Sequence, residues 1–324
     1  MLPAALKSRL RLPLIAAPMF LVSGPALVKA ACRAGIIGSF PTANCRTVEE
    51  LDRWLLDMTD DQKRAADETG RAPAPLCANL IVHRSNPRVP DDLASVLRAR
   101  VELVITSVGS PEPVIKPLKD AGCLVFADVA SVRHAEKAVA AGVDGLVLLT
   151  AGAGGQTGWV NPFAFVRAVR KFFDGIVVMA GGMADGQAVF AAQALGCDLA
   201  YMGTKFIATR ESMAKDEYKA MLVKSRLDDV LLTRAFTGLE TNMLRPSIAA
   251  AGLDPDNLPV RGAIDIAKDI NAAERDKPDS KRWKDIWSAG HSVSGVSDVP
   301  SVAELVERTA AEYAAATAAR SSPA

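Results

Sequence analysis

Eight short apolar runs, most followed by a helical pattern, constrain this chain more than any other feature. They are LIAAPM from Leu14, IIGSF from Ile36, LCANLI from Leu76, LVITS from Leu103, LVFADV from Leu124, GLVLLT from Gly145, IVVMAG from Ile176 and LAYMGT from Leu199. Each is apolar on both faces, as strands are when helices cover both sides of a parallel sheet. Between them lie amphipathic stretches such as Ser131 to Gly142 and Asp185 to Gly196, each opening on an N-cap residue and closing on glycine. Eight βα units predict a (β/α)8 TIM barrel, whereas six would suit a doubly wound sheet. Between the second and third strands, VEELDRWLLDMTDDQKRAADE reads as a charged, peripheral helix. After Arg210 the β-rich runs stop, so residues 211–285 are expected to form a smaller, mainly helical lid or insertion domain. The segment IWSAG and an Ala-rich helix, Val302 to Ala319, then return to the barrel, which comprises 1–210 plus 286–324.

Composition removes several function classes. A formal net charge of +1 provides no field to gather nucleic acid, and no Lys/Arg cluster carries interleaved aromatics. The stretch Leu12 to Ala34 superficially resembles a secretory signal or membrane span. Pro13, Pro18, Gly24 and Pro25 would break a helix there, and Lys29 and Arg33 interrupt it. Five cysteines, Cys32, Cys45, Cys77, Cys123 and Cys197, lack C-x-x-C spacing. They read as reduced core thiols in a cytoplasmic protein, with neither a disulfide nor a zinc framework. The acidic run DMTDDQKRAADE reads as a solvated face, and no metal is expected. The Ala-rich helix hints at a homodimer.

In a barrel, function belongs at the C-terminal ends of the strands. Here strand one ends Ala17-Pro18-Met19; strand three carries Asn79 and runs to His83; strand seven ends Ala180-Gly181-Gly182; strand eight ends Gly203-Thr204. Strand six runs into TAGAGGQTG, Thr150 to Gly158, with four glycines in nine positions. Glycines there either make tight strand-to-helix turns or let backbone N–H groups approach an anion. A glycine pair and a further glycine at consecutive strand ends, with a third glycine loop beside them, favour a bound phosphate ester.

The ordered set APM, CANL, DGLVLLTAGAGGQTG, VMAGGMADG, AYMGTKF and IWSAG resembles the nitronate monooxygenase family, which also contains flavin-dependent NAD(P)H:quinone reductases and is similar to FMN-containing enoyl reductases. The match covers Leu12 to about Arg210 and resumes at Ile286. It implies FMN at the barrel mouth, its phosphate held by Gly181, Gly182, Gly203 and Thr204. The isoalloxazine would lie near Pro18, Met19 and the loop Ala151, Gly152, Gly154, Gly155 and Gln156, with Ala17, Asn79 and Met202 as further cofactor-binding candidates. Met202 is explained equally well by core filling. Asp128 is expected to hydrogen-bond ribityl hydroxyls or a neighbouring N–H, and Lys205 either balances phosphate charge or pairs with an acid.

Many relatives carry a histidine where this chain has Gln156. Glutamine can hydrogen-bond a substrate but cannot accept a proton near neutral pH. The resemblance therefore implies oxidation of an already ionised alkyl nitronate with O2. The alternative is an NAD(P)H reductase acting on a quinone, enoyl-CoA or other acyl-CoA, with NAD(P)H as co-substrate. A third reading is a non-redox barrel binding a phosphate ligand. Of the three histidines, His134 reads as surface. His83 either lines the pocket or caps its loop, and His83 or His291 is expected to supply the imidazole missing at Gln156.

Overall fold

The computed structural model describes residues 2–259 and 285–321. All eight apolar runs contain strands: β1 (Leu14–Ala16), β2 (Ile37–Pro41), β3 (Leu76–Ile81), β4 (Leu103–Ser107), β5 (Leu124–Val129), β6 (Gly145–Leu149), β7 (Ile176–Ala180) and β8 (Leu199–Met202). They pair in parallel in chain order, and β8 returns to β1 with Tyr201 opposite Ile15, which closes a TIM barrel. The first strand ends at Ala16, short of the expected Met19. Ala17 N–H still reaches the Met202 carbonyl, but Pro18 has no N–H with which to continue the ladder.

Alternation along each strand sorts the apolar residues into two cores. Ile15, Ile105, Phe126, Val147, Val178 and Leu199 fill the barrel, while Leu14, Val104, Val125, Leu146, Val177 and Ala200 meet the helices outside. Burying each larger side chain contributes about 1.5–3 kcal/mol. The expected caps are present: Ser131 and Asp185 accept the N–H groups of His134 and Ala188, and Gly142 and Gly196 adopt left-handed C-caps. His134 is exposed, as expected.

The helix read as peripheral, Val48–Thr69, belongs to the barrel's outer layer. Its stripe of Leu51, Leu55 and Met58 is buried in the helix–strand core, and Asp61 pairs with Arg33 on Pro25–Arg33. The charge that suggested a peripheral position occupies only the opposite face.

The insertion contains β structure as well as helices such as Asp216–Lys224. Strands Val230–Thr233 and Thr241–Leu244 form an antiparallel pair, to which Gly155–Gln156 from the β6 loop adds a third strand. These strands are too short to show a period of their own, and their partner comes from far away in the chain. The Ala-rich helix, Val302–Ser321, packs on Gly186–Leu195 so closely that a Cβ on Gly186 would lie 2.2 Å from Tyr313 N. No described helix is long and apolar enough to cross a membrane, and Leu12 to Ala34 is β1, a loop and a helix. All five cysteines are buried free thiols.

Candidate functional site

A cavity of about 360 Å³ opens at the C-terminal mouth of the barrel, between the strand ends and the insertion. On one side lie the glycines after β7 and β8. Gly181 and Gly182 have φ of +113° and +74°, a conformation that L side chains rarely tolerate. A Cβ on Gly182 would meet nothing within 4 Å, so this backbone borders open space. No hydrogen bond among the described residues takes up the N–H of Gly182 or Gly203. Gly203 caps the short helix Thr204–Ile207, and Thr204 Oγ1 accepts the Gly290 N–H at 2.9 Å, seating the returning IWSAG segment.

The glycine-rich loop after β6 is shaped largely by that segment. A Cβ on Gly154 would come within 2.7 Å of Gly290 N, and one on Gly290 within 2.6 Å of Gly152 O. The two backbones are therefore in direct contact, joined by the 2.8 Å bond from His291 N to Gly152 O. Gly158 is equally constrained, since its Cβ would lie 2.3 Å from Leu149 O. Main-chain packing thus accounts for Gly154 and Gly158, while a Cβ on Gly152, at φ +93°, would meet the His291 ring at 2.7 Å. Gly155 is held open by pairing of Gly155–Gln156 with Asn242 and Thr241, and Asn242 Nδ2 donates to Ala153 O at 2.7 Å. The Gln156 side chain lines the cavity and makes no hydrogen bond to a described residue.

The first strand's loop is fixed by buried polar groups. Asn44 Nδ2 donates to Met19 O and Ser23 O at 3.1 and 2.7 Å, and its Oδ1 accepts Leu21 N–H at 2.8 Å. These bonds hold Leu21 at φ +60° beside the cavity. Asn44→Ala is expected to destabilise the fold by about 1–3 kcal/mol, because the Ser23 carbonyl and the Leu21 N–H lose this partner, while Met19 O keeps the N–H groups of Val22 and Ser23. Urea unfolding measures this, and a change under about 0.5 kcal/mol would show the loop to be held otherwise.

Opposite the glycines, Asn79, Ser107 and Asp128 form a polar wall on β3, β4 and β5. Asn79 Nδ2 donates to Ile105 O and Ser107 Oγ at 3.0 and 3.1 Å, so much of its amide is committed to β4. Asp128 Oδ1 is sealed from solvent without a hydrogen-bond partner among the described residues, and burial pushes this carboxyl up to about 7. Above the wall stand Tyr218 and Trp287, stacked with centroids 4.9 Å apart and planes 11° from parallel. Lys215 at the rim pairs with Asp285 at 3.1 Å.

Among the residues singled out from the sequence, Ala17, Pro18, Met19, Asn79, Asp128, Gly152, Gly154, Gly155, Gln156, Gly181, Gly182, Gly203 and Thr204 line one cavity. Met202, Ala151, His83, His291 and Lys205 lie outside its lining. Met202 points outward into the helix–strand core because alternation on β8 turns Leu199 and Tyr201 inward. Ala151 instead gives its N–H to Val160 O. His83 closes its own loop, its Nδ1 accepting Ser85 N–H at 3.2 Å and lying 2.7 Å from Ser85 Oγ. His291 is exposed and backs Gly152 from outside. The structure therefore brings neither imidazole to the lining. Lys205 donates to the Gly295 carbonyl, and burial lowers its pKa. Sequence reasoning missed Tyr201, whose inward direction period-two alternation could have given. It also missed Ser107 and the insertion residues Lys215 and Tyr218, for which no local signal exists, and Trp287, which lies inside the IWSAG segment read as returning to the barrel.

A family model described as nitronate monooxygenase matches residues 4–312. A nitronate monooxygenase of Paraburkholderia phytofirmans is 30% identical over 307 residues, covering 82% of this chain and 83% of its own. A 5-hydroxy-7a-methyl-1-oxo-octahydro-1H-indene-4-carboxyl-CoA dehydrogenase of Rhodococcus jostii is 26% identical over 286 residues and covers 88% of this chain and 76% of its own. Among solved structures, nitroalkane oxidase from Streptomyces ansochromogenes superposes with a TM-score of 0.75 at 26% identity, covering 98% of this chain and 100% of that one. FabK from Thermotoga maritima shares the fold, with a TM-score of 0.78 at 23% identity over 98% of this chain and 96% of that one. The cavity at the barrel mouth, the match along almost the whole chain and these relatives agree that the protein belongs to the nitronate monooxygenase family and is an oxidoreductase.

Proposed function

We propose that this protein is an FMN-dependent oxidoreductase that oxidises alkyl nitronates with O2. The residues at the barrel mouth suit FMN. Gly182 borders open space, and among the described residues the N–H groups of Gly182 and Gly203 have no acceptor and Asp128 Oδ1 on the opposite wall has no partner. This gives donors for a phosphate on one side and a polar group for a heteroaromatic ring on the other. When bound, FMN supplies the electron-transfer chemistry, and the protein orients and tunes it.

The observation that carries the nitronate reading is Gln156. Its uncommitted amide lines the cavity while His83 and His291 lie outside. An amide N–H can hold the oxygen of an anionic nitronate but cannot remove a carbon-bound proton. The substrate is therefore taken already ionised, and the lid residues screen it from water. A second reading, an NAD(P)H-dependent reductase of an acyl-CoA or quinone, is favoured by the Tyr218–Trp287 stack, which offers a flat face to a nicotinamide or planar acceptor.

Anaerobic mixing of the FMN-loaded protein with propyl-2-nitronate, neutral 2-nitropropane, NADH or NADPH separates these readings. Bleaching at about 450 nm is expected with the nitronate alone. Rapid bleaching by a pyridine nucleotide without a response to nitronate would establish the reductase instead.

A further inference from the structure

Asp128 presents a chemical problem that its neighbours leave unsolved. On β5, Phe126 fills the barrel interior while Ala127 and Val129 face the helices, so alternation turns Asp128 inward where it lines the cavity. The flanking strands offer it Ile105 and Ser107 from β4 and Val147 and Leu149 from β6, none of them charged. The titratable groups facing it inside the barrel are Cys77 on β3 and Tyr201 on β8, both held neutral by burial. On the lid side of the cavity stand Lys215, paired with Asp285, and Tyr218, whose hydroxyl donates to Ser288 O. Among the described lining residues, then, no cation is committed to Asp128.

An ionised carboxylate with an oxygen sealed from water and unpartnered costs several kcal/mol, and retaining the proton avoids most of that cost. Protonation also changes what the group can do. A carboxylate only accepts hydrogen bonds, whereas a carboxylic acid has one O–H to donate. Asn79 and Ser107 direct their hydrogens to each other and to Ile105 O. Asp128 is consequently the residue on this wall with a hydrogen left for a ligand.

We propose that Asp128 binds the cofactor ring as a neutral carboxylic acid, donating its O–H to a ring carbonyl or ring nitrogen, so that binding requires this proton. This role is opposite to that of an ionised, accepting aspartate, and it rests on the FMN reading above. Affinity should be full well below pH 7 and fall as the pH rises through about 7, the value to which burial raises this group. The reason is that the competent fraction of the free protein shrinks.

The test is flavin fluorescence quenching by the apoprotein at about pH 6 and about pH 8, using the parent, Asp128→Asn and Asp128→Ala. FMN's own phosphate titrates in this range, so the quantity read is the ratio of parent Kd to Asp128→Asn Kd. That ratio is expected to rise about tenfold between the two conditions, because asparagine keeps a donor that does not titrate. Asp128→Ala should bind more weakly than Asp128→Asn at both pH values, with no additional slope. A ratio that is flat within about twofold, or that falls with pH, would overturn the proposal while leaving FMN binding established. Failure of all three proteins to bind FMN would remove the cofactor assignment itself and this role with it.

Discussion

Replacing Gly181 by valine is expected to lower FMN affinity at least about a hundredfold, the loss of one to two charge-assisted hydrogen bonds, and to destabilise the protein. The backbone at φ +113° is one that β-branched residues avoid, and holding it costs about 1–3 kcal/mol. The new Cβ would also lie 2.5 Å from Thr150 Oγ1. That hydroxyl is not free to withdraw, because it donates to Ala180 O at 2.6 Å and so joins the end of β6 to the end of β7. Relief therefore comes from moving the Gly181–Gly182 peptides, whose position would define the proposed phosphate cradle. Gly70→Ala provides the control. It has φ +67° and nothing within 4 Å of the added Cβ, so it introduces backbone strain at a remote helix end and should leave FMN affinity unchanged. Equilibrium dialysis and thermal melting of both variants measure the two effects. Binding by Gly181→Val within about threefold of the parent, less than the weakest single hydrogen bond at stake, would mean that the glycine pair is only a turn.

The second large effect is a gain. Gln156→His should confer turnover of neutral 2-nitropropane, increasing kcat/KM for it by about 10²-fold or more, the low end of what a positioned general base contributes. Turnover of propyl-2-nitronate should change little. The site allows this because Gln156 already lines the cavity, and its backbone is fixed by pairing with Thr241. A new imidazole would need no rearrangement of the loop. Gln156→Ala should instead lower kcat/KM for the nitronate and leave 2-nitropropane inert. The activity acquired by Gln156→His should rise with pH through the usual histidine range, since only the neutral ring accepts a proton. If Gln156→His shows no activity on 2-nitropropane while its FMN spectrum is unchanged, the residue is not adjacent to the reacting carbon.

These two positions differ in how openly the sequence displays them. Gly181 and Gly182 end an apolar run at a strand end of the barrel, so strand count and glycine placement sufficed to bring them to the cavity lining. The same local logic located the eight strands and the helix caps at Ser131 and Asp185. Such features depend on backbone preference and periodic burial, both written in neighbouring residues.

Other assignments needed a direction as well as a place. Met202 and Tyr201 are adjacent on β8, and only the closed barrel determines that the tyrosine faces the cavity and the methionine faces the helices. His83 and His291 lie at strand mouths in the sequence, yet one closes its own loop through Ser85 and the other backs Gly152 from outside. Nothing in a linear spacing tells which side of a loop an imidazole takes. The glycines of the β6 loop were legible as a requirement for small residues, but the chief cause, close contact with the backbone of Gly290, joins segments more than a hundred residues apart.

The sequence by itself determined a βα repeat, its closure by count and the chemical character of its strand ends, because each follows from interactions within a few residues. Only the tertiary structure decided that Gln156 belongs to a three-stranded sheet with the insertion, that Asp128 Oδ1 has no hydrogen-bond partner among the described residues and that no described imidazole lines the cavity. Those outcomes depend on distant groups excluding water from one another, and desolvation is a property of the packed fold that no local pattern encodes.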